Sequence, residues 1–155
     1  MAGSQVLLNL LRDEEALYRE LCRLGEEKGS WILSHQGDAL ERGLKRELEI
    51  LGRLRGLEER RREVTARLGL ELGLGGEPSL RDLIPHLPAE DGQALWEARG
   101  SLLRSMDRAQ RLNRAHRDLL EEVQAMARFT WELWKRGVRD TSFYDAEGRR
   151  AGGSA

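Results

Sequence analysis

The chain has 155 residues with 26 basic and 27 acidic side chains, so it lacks the basic excess of a general nucleic-acid or acidic-membrane binder. It is 34% charged and 39% hydrophobic, which is typical of one domain that stays in solution and still builds a core. The lone cysteine, Cys22, excludes an internal disulfide and gives no metal-ligand spacing. Near the N-terminus there is no basic n-region, and Arg12 interrupts the apolar run. This predicts neither a secretion signal nor a membrane span, and leaves the cytoplasm as the expected location.

The first predicted helix covers about residues 4–35, with Ser4 as its N-cap. Its large apolar side chains recur at three- and four-residue intervals, the pattern of a long amphipathic helix. They are Leu7, Leu10, Leu17, Leu21, Leu24 and Trp31. The sequence "HQGD" then breaks the helix, and Asp38 with Glu41 predicts a capping box at the start of the next one.

The second predicted helix covers about residues 38–70. One stripe on it contains Leu40, Leu44, Leu51, Leu54 and Leu68. The charge run from Glu58 to Val64 mixes signs at i, i+4, which indicates a solvated helix face rather than a nucleic-acid grip.

The connection between residues 70 and 89 contains all three prolines of the chain. It is therefore predicted to hold only a short helix, about 79–86, capped by Ser79 and Asp82. Four apolar residues of this segment are expected to plug one end of a bundle. They are Leu80, Leu83, Ile84 and Leu87.

The third predicted helix covers about residues 90–136 and is expected to stop at Gly137. Its near-continuous a/d pattern includes Asn113, a polar residue that can set the register of a helix bundle. Short connections between long helices favour antiparallel neighbours. We therefore predict an all-α fold without a sheet: an elongated antiparallel three-helix bundle over residues 1–137, followed by a flexible polar tail over residues 138–155.

No pattern in the chain points to catalysis, a cofactor or a metal. The histidines, His35, His86 and His116, have no second histidine or cysteine at ligand spacing. The sequence contains no HExxH, GxSxG, phosphate-loop or dinucleotide motif. We therefore expect a protein that is not an enzyme, with His116 as a hydrogen-bonded core histidine.

The end of the third helix, "MARFTWELWKRG", carries two apolar faces, and one bundle seam covers only one of them. Either the middle segment and helix ends cover both faces, or one face is free to bind a partner helix. The second interpretation is our prediction, since Met adapts its shape and Trp buries a large area. The predicted contacts are Leu119, Val123, Met126, Phe129, Leu133 and Trp134.

The tail sequence "SFYDAEG" places Phe143, Tyr144 and Asp145 in a stretch that is too polar to fold alone. The aromatic pair either folds back onto the bundle end near Trp131 and Trp134, or serves as a short recognition motif for a second partner. We predict the second role, because a tyrosine buries area and keeps a hydroxyl for one hydrogen bond.

Four segments, in this order, resemble the flagellar FlgN family. The first two are "LLNLLRDEEALYRELCRLGEEKGSWIL" and "LERGLKRELEILGRLRGLEERRREV". In "LNRAHRDLLEEV" the match rests on Leu112, Asn113, Leu119 and Leu120. In the tail, the Thr/Ser-x-Tyr-Asp-x-x-Gly signature corresponds to Tyr144, Asp145 and Gly148. His116 departs from the family's usual second asparagine.

The resemblance implies a cytoplasmic, ATP-independent chaperone that covers the C-terminal segments of hook-associated proteins, which join hook and filament. It also implies delivery of these clients to the flagellar type III export apparatus. A component of the membrane export gate would then read the tail motif. Two other classes remain open on sequence grounds: a structural coiled-coil subunit of a membrane-associated assembly, and a helical regulator that binds nucleic acid.

Overall fold

The computed structural model describes the backbone of residues 1–142 and the side chains of residues 1–137. The described part of the chain is helical and contains no strand, which confirms the all-α prediction. The elements are α1 (Ala2–Leu33), α2 (Gly37–Glu71), α3 (Leu80–Leu83), a 3-10 turn (Ile84–His86) and α4 (Ala89–Ser142). The described residues divide into two units, one comprising Met1–His116 and the other beginning at Arg117, and α4 contributes to both.

The first unit, Met1–His116, is a three-helix bundle. α1 and α2 run in opposite directions, because Leu17 packs with Ile50 and Leu54 while Lys28 meets Glu47. α4 runs parallel to α1, as a second set of contacts shows. The Sγ of Cys22 lies 3.7 Å from the Ser105 carbonyl, and further along both helices Gly25 lies against Leu112. The first unit thus has the predicted up-down-up arrangement.

Leucines from all helices fill the core of this unit. The largest cluster of buried residues contains Leu7, Leu8, Leu11, Leu68, Leu83, Leu87, Leu95, Ala98 and Leu102. Leu83 and Leu87 come from the proline-bounded connection, so the predicted apolar plug is confirmed. Apolar side chains at helical spacing are buried together in this way because each helix turns one apolar stripe toward its neighbours.

The local capping predictions had mixed outcomes. Ser79 and Asp82 form the predicted capping box, with bonds of 3.2 Å and 3.0 Å between side chains and backbone amides. Ser4 does not cap α1, which starts two residues earlier; its hydroxyl lies 2.8 Å from Oδ2 of Asp91 at the start of α4. The Asp38–Glu41 box is also wrong. α2 starts after Gln36 without a side-chain cap, and Glu41 pairs with Lys45.

The predicted stop at Gly137 is wrong, because α4 continues to Ser142. A glycine commonly ends a helix by taking a positive φ, the left-handed conformation of a C-cap. In the described part of the chain only Gly73 and Gly76 among the glycines have positive φ, and both lie after α2. Gly137 keeps helical backbone angles, so the helix continues through it.

Candidate interaction surfaces

The Arg117–Ser142 part of α4 presents an apolar face. At 100° per residue, the six predicted contact residues fall on one side of the helix. The four nearest the C-terminus are well exposed: Met126 (68%), Phe129 (63%), Leu133 (49%) and Trp134 (57%). The other two, Leu119 and Val123, are half-buried. The structure therefore places a contiguous, accessible apolar surface at the predicted residues.

Trp131 adds to this surface from its edge. Its side chain is 55% exposed, and its ring stacks on Trp134 with centroids 5.0 Å apart and an interplanar angle of 21°. The polar side of the same segment carries a salt bridge of 2.9 Å between Lys135 and Glu132. The segment is thus amphipathic, with its aromatic rings accessible to a partner.

The second predicted contact site lies outside the described residues. Phe143, Tyr144 and Asp145 follow the last described backbone residue, Ser142. The recognition motif and the fold-back cap therefore both stay predictions.

A buried polar cluster joins the three helices of the Met1–His116 unit. The Lys28 ammonium lies 3.0 Å from the Glu47 carboxylate, and Lys28 is only 7% exposed. His116 is buried beside this pair, as the sequence predicted. Burial, and then the positive charge of Lys28, lower the pKa of His116; a hydrogen bond with the Gly25 backbone and the charge of Glu47 oppose the shift.

A second buried polar contact joins α1 to α2. The Nε of Arg61 lies 3.0 Å and 3.2 Å from the two carboxylate oxygens of Glu14, whose side chain is almost fully buried. Burial raises the pKa of Glu14, and Arg61 opposes that rise. The charge run was predicted to lie on a solvated helix face; Arg61 departs from that prediction, because it reaches inward to the buried Glu14. Its 3-and-4 spacing from Leu54 and Leu57 was the available signal that it faces α1.

In both contacts a buried charge lies against an opposite charge, Lys28 against Glu47 and Glu14 against Arg61. Among the described residues, no group of three or more His, Cys, Asp or Glu side chains is placed to hold a metal ion. Asn113, predicted to set the register, is exposed and lines a small cavity beside His116. None of the described helices is both long and apolar enough to cross a bilayer.

By fold and surface, the molecule is a helical protein with an accessible apolar helix face, the kind of surface that binds other proteins. The FlgN protein family matches residues 1–152, and the chain belongs to this family. Membership implies a role as a flagellar export chaperone, and the family is one of chaperones rather than enzymes. Comparison with curated proteins and with solved structures returned no match.

Proposed function

We propose that this protein binds the C-terminal segments of hook-associated proteins in the cytoplasm and delivers them to the flagellar type III export apparatus. Family membership supports the chaperone role. The observation that carries client binding is the exposed apolar face of α4 around Met126, Phe129 and Leu133. Such a face, at helical spacing, suits an amphipathic client helix.

Phe129 and Leu133 are the strongest candidates for client contact. They lie one turn apart on the same side of α4 and are 63% and 49% exposed. A client helix that covers both would bury their remaining apolar surface, and burying one large apolar side chain contributes about 1.5–3 kcal/mol. Loss of the pair should therefore weaken binding by at least about tenfold.

The test is isothermal titration of purified protein with C-terminal segments of hook-associated proteins. The double variant Phe129→Ser with Leu133→Ser should lose binding while its circular dichroism stays close to that of the unchanged protein. Leu33→Ser is the matched control, because Leu33 is 66% exposed on α1, outside the proposed face. A loss of helicity in the double variant would show that Phe129 and Leu133 are core residues. Self-association without client binding would instead indicate a structural coiled-coil subunit.

We further propose that Phe143, Tyr144 and Asp145 dock the loaded chaperone on a component of the membrane export gate. The support is the resemblance of "SFYDAEG" to the family's tail signature. Tyr144→Ala should reduce association with the gate and leave client binding unchanged. A melting temperature lowered by several degrees, with normal gate association, would identify the tail as a structural cap.

A further inference from the structure

The stretch of α4 over residues 123–137 carries a wider apolar face than one partner helix covers. Phe129 and Trp131 are 63% and 55% exposed, and they lie about 200° apart around the helix, measured across its apolar side. The other large apolar side chains of the stretch lie between these two rings: Val123, Met126, Leu133 and Trp134. We call this surface the aromatic arc. An amphipathic helix typically packs through a stripe of about 100°, so a single helix seated on the arc would leave one of its edges in water.

The charged side chains of the same stretch lie opposite the aromatic arc. They fall within about 100° of the helix circumference, and three of the four are basic. They are Arg128, Glu132, Lys135 and Arg136. Lys135, which pairs with Glu132, follows Trp131 by four residues and lies beside one edge of the arc. Arg136 follows Phe129 by seven residues and lies beside the other edge, so a basic side chain borders the arc on both sides.

We propose that residues 123–137 of α4 lie flat on an anionic lipid bilayer, with the aromatic arc at the boundary between headgroups and acyl chains and the three basic side chains toward the lipid phosphates. A bilayer surface covers both edges of the arc at once, which one helix does not. Tryptophan rings are favoured at this depth, where the ring is in an apolar layer and the indole N–H reaches water or a headgroup. Long basic side chains bury their stems and keep their charges at the phosphates. The stretch is about 22 Å long, which gives about four helical turns of contact.

Charge acts locally at a membrane, so the nearly neutral composition of the whole chain does not oppose this contact. The chain has 26 basic and 27 acidic side chains in total. The surface potential of an anionic bilayer falls off within about 10 Å, and only the charges near the seated helix respond to it. Glu121 and Glu122 come directly before the stretch and are exposed, so they set the N-terminal limit of the contact.

The inference goes beyond client binding, although the two surfaces overlap. The residues common to both are Met126, Phe129, Leu133 and Trp134, with Val123 at the N-terminal end. A bound client helix and the bilayer would therefore exclude each other. Measurements on vesicles contain no client, so they report on the bilayer contact whether or not α4 binds hook-associated proteins.

Co-sedimentation of the full chain with unilamellar vesicles tests the proposal. Vesicles of equal parts phosphatidylglycerol and phosphatidylcholine should bind the chain at least about tenfold more tightly than vesicles of phosphatidylcholine alone, because each basic side chain near an anionic surface adds to the attraction. Raising the salt from about 0.05 M to about 0.5 M should remove most of that preference. Equal binding to both kinds of vesicle, or binding to neither, would overturn the proposal.

Charge-reversal variants then locate the contact. Arg128→Glu combined with Arg136→Glu makes the stretch acidic and should weaken binding to the anionic vesicles by at least about tenfold. Arg53→Glu combined with Arg55→Glu is the matched control, because it makes the same change in total charge at two exposed residues of α2. The control should bind as the unchanged chain does. Equal losses in the two double variants would show attraction by total charge alone and refute the contact through α4.

Trp131→Ser tests the aromatic arc itself. It should weaken binding to the anionic vesicles by about fivefold or more, because it removes a ring that is favoured at the interface. Trp96→Ser is the matched control, since Trp96 is 43% exposed in the Met1–His116 unit. Circular dichroism should show that every variant folds. Unchanged binding by Trp131→Ser would show that the arc does not enter the bilayer and would refute the proposal.

Sedimentation velocity without lipid separates the bilayer from a second copy of the chain as the occupant of the arc. The unchanged chain should sediment as a monomer. A dimer that Trp131→Ser dissociates would show that a second copy covers the aromatic arc, and would also refute the proposal.

Discussion

Replacing glycine by alanine at two positions of α2 should change stability in opposite directions. A β-carbon at Gly43 would lie 2.5 Å from the Cζ3 atom of Trp31 on α1, whereas one at Gly52 would meet nothing within 4 Å. Alanine in a helix interior is favoured over glycine by about 0.5–1 kcal/mol, so Gly52→Ala should stabilise the protein by that amount. Gly43→Ala gains the same stabilisation but overpacks the contact between α1 and α2 at a cost of about 1–3 kcal/mol, so the expected net change is a loss of up to about 2.5 kcal/mol.

Thermal unfolding followed by circular dichroism measures both effects. For a chain of this size each kcal/mol shifts the melting temperature by about 2–4 °C, so Gly52→Ala should raise it by about 1–4 °C and Gly43→Ala should lower it by up to about 10 °C. Gly56→Ala is a second control on the same helix, since a β-carbon there also meets nothing within 4 Å. Equal stabilisation at Gly43 and Gly52 would refute the close helix approach at Trp31.

Two predictions concern the buried polar contacts. Arg61→Ala should lower the free energy of unfolding, measured with denaturant, by about 1–3 kcal/mol, because it leaves the buried Glu14 carboxylate without its partner. Arg62→Ala removes an exposed ion pair and should lower it by under about 1 kcal/mol. Equal losses of stability in the two variants would contradict the burial argument. His116 has a pKa lowered from its ordinary value of 6.5, so the fold favours the neutral ring; its contribution is fully present above about pH 6.5 and is lost as the pH falls through the lower folded pKa. The melting temperature should therefore fall less between pH 7.5 and pH 5 in His116→Gln than in the unchanged protein. An equal fall in both proteins would show that His116 does not contribute to the pH dependence of stability.

Sequence reasoning predicted the fold because the relevant signals are local or periodic. Leucines at 3-and-4 spacing select the helix and its buried side whatever the neighbouring element is. The prolines between Pro78 and Pro88 confine the break, and the Ser79–Asp82 box forms from residues three apart. Ser4 was mispredicted because its hydroxyl is engaged by Asp91, 87 residues further along the chain.

The candidate client face was predicted at the level of periodicity, since six side chains on one helix side follow from their spacing alone. Their accessibility was not predictable. The same stripe could have packed into a bundle seam, and the sequence left both outcomes open. Exposure of Phe129 and Met126 depends on which other helices reach them.

Amino-acid order by itself determined that the protein is helical, where its connections lie and which family it belongs to, because these depend on local backbone preference and on the residues themselves. Tertiary structure alone decided that Arg61 meets Glu14 and that Lys28 meets Glu47 beside His116. Each of these contacts joins residues far apart in the chain. Its existence depends on the relative rotation and registry of whole helices, which the sum of the core packing sets and no short stretch of sequence encodes.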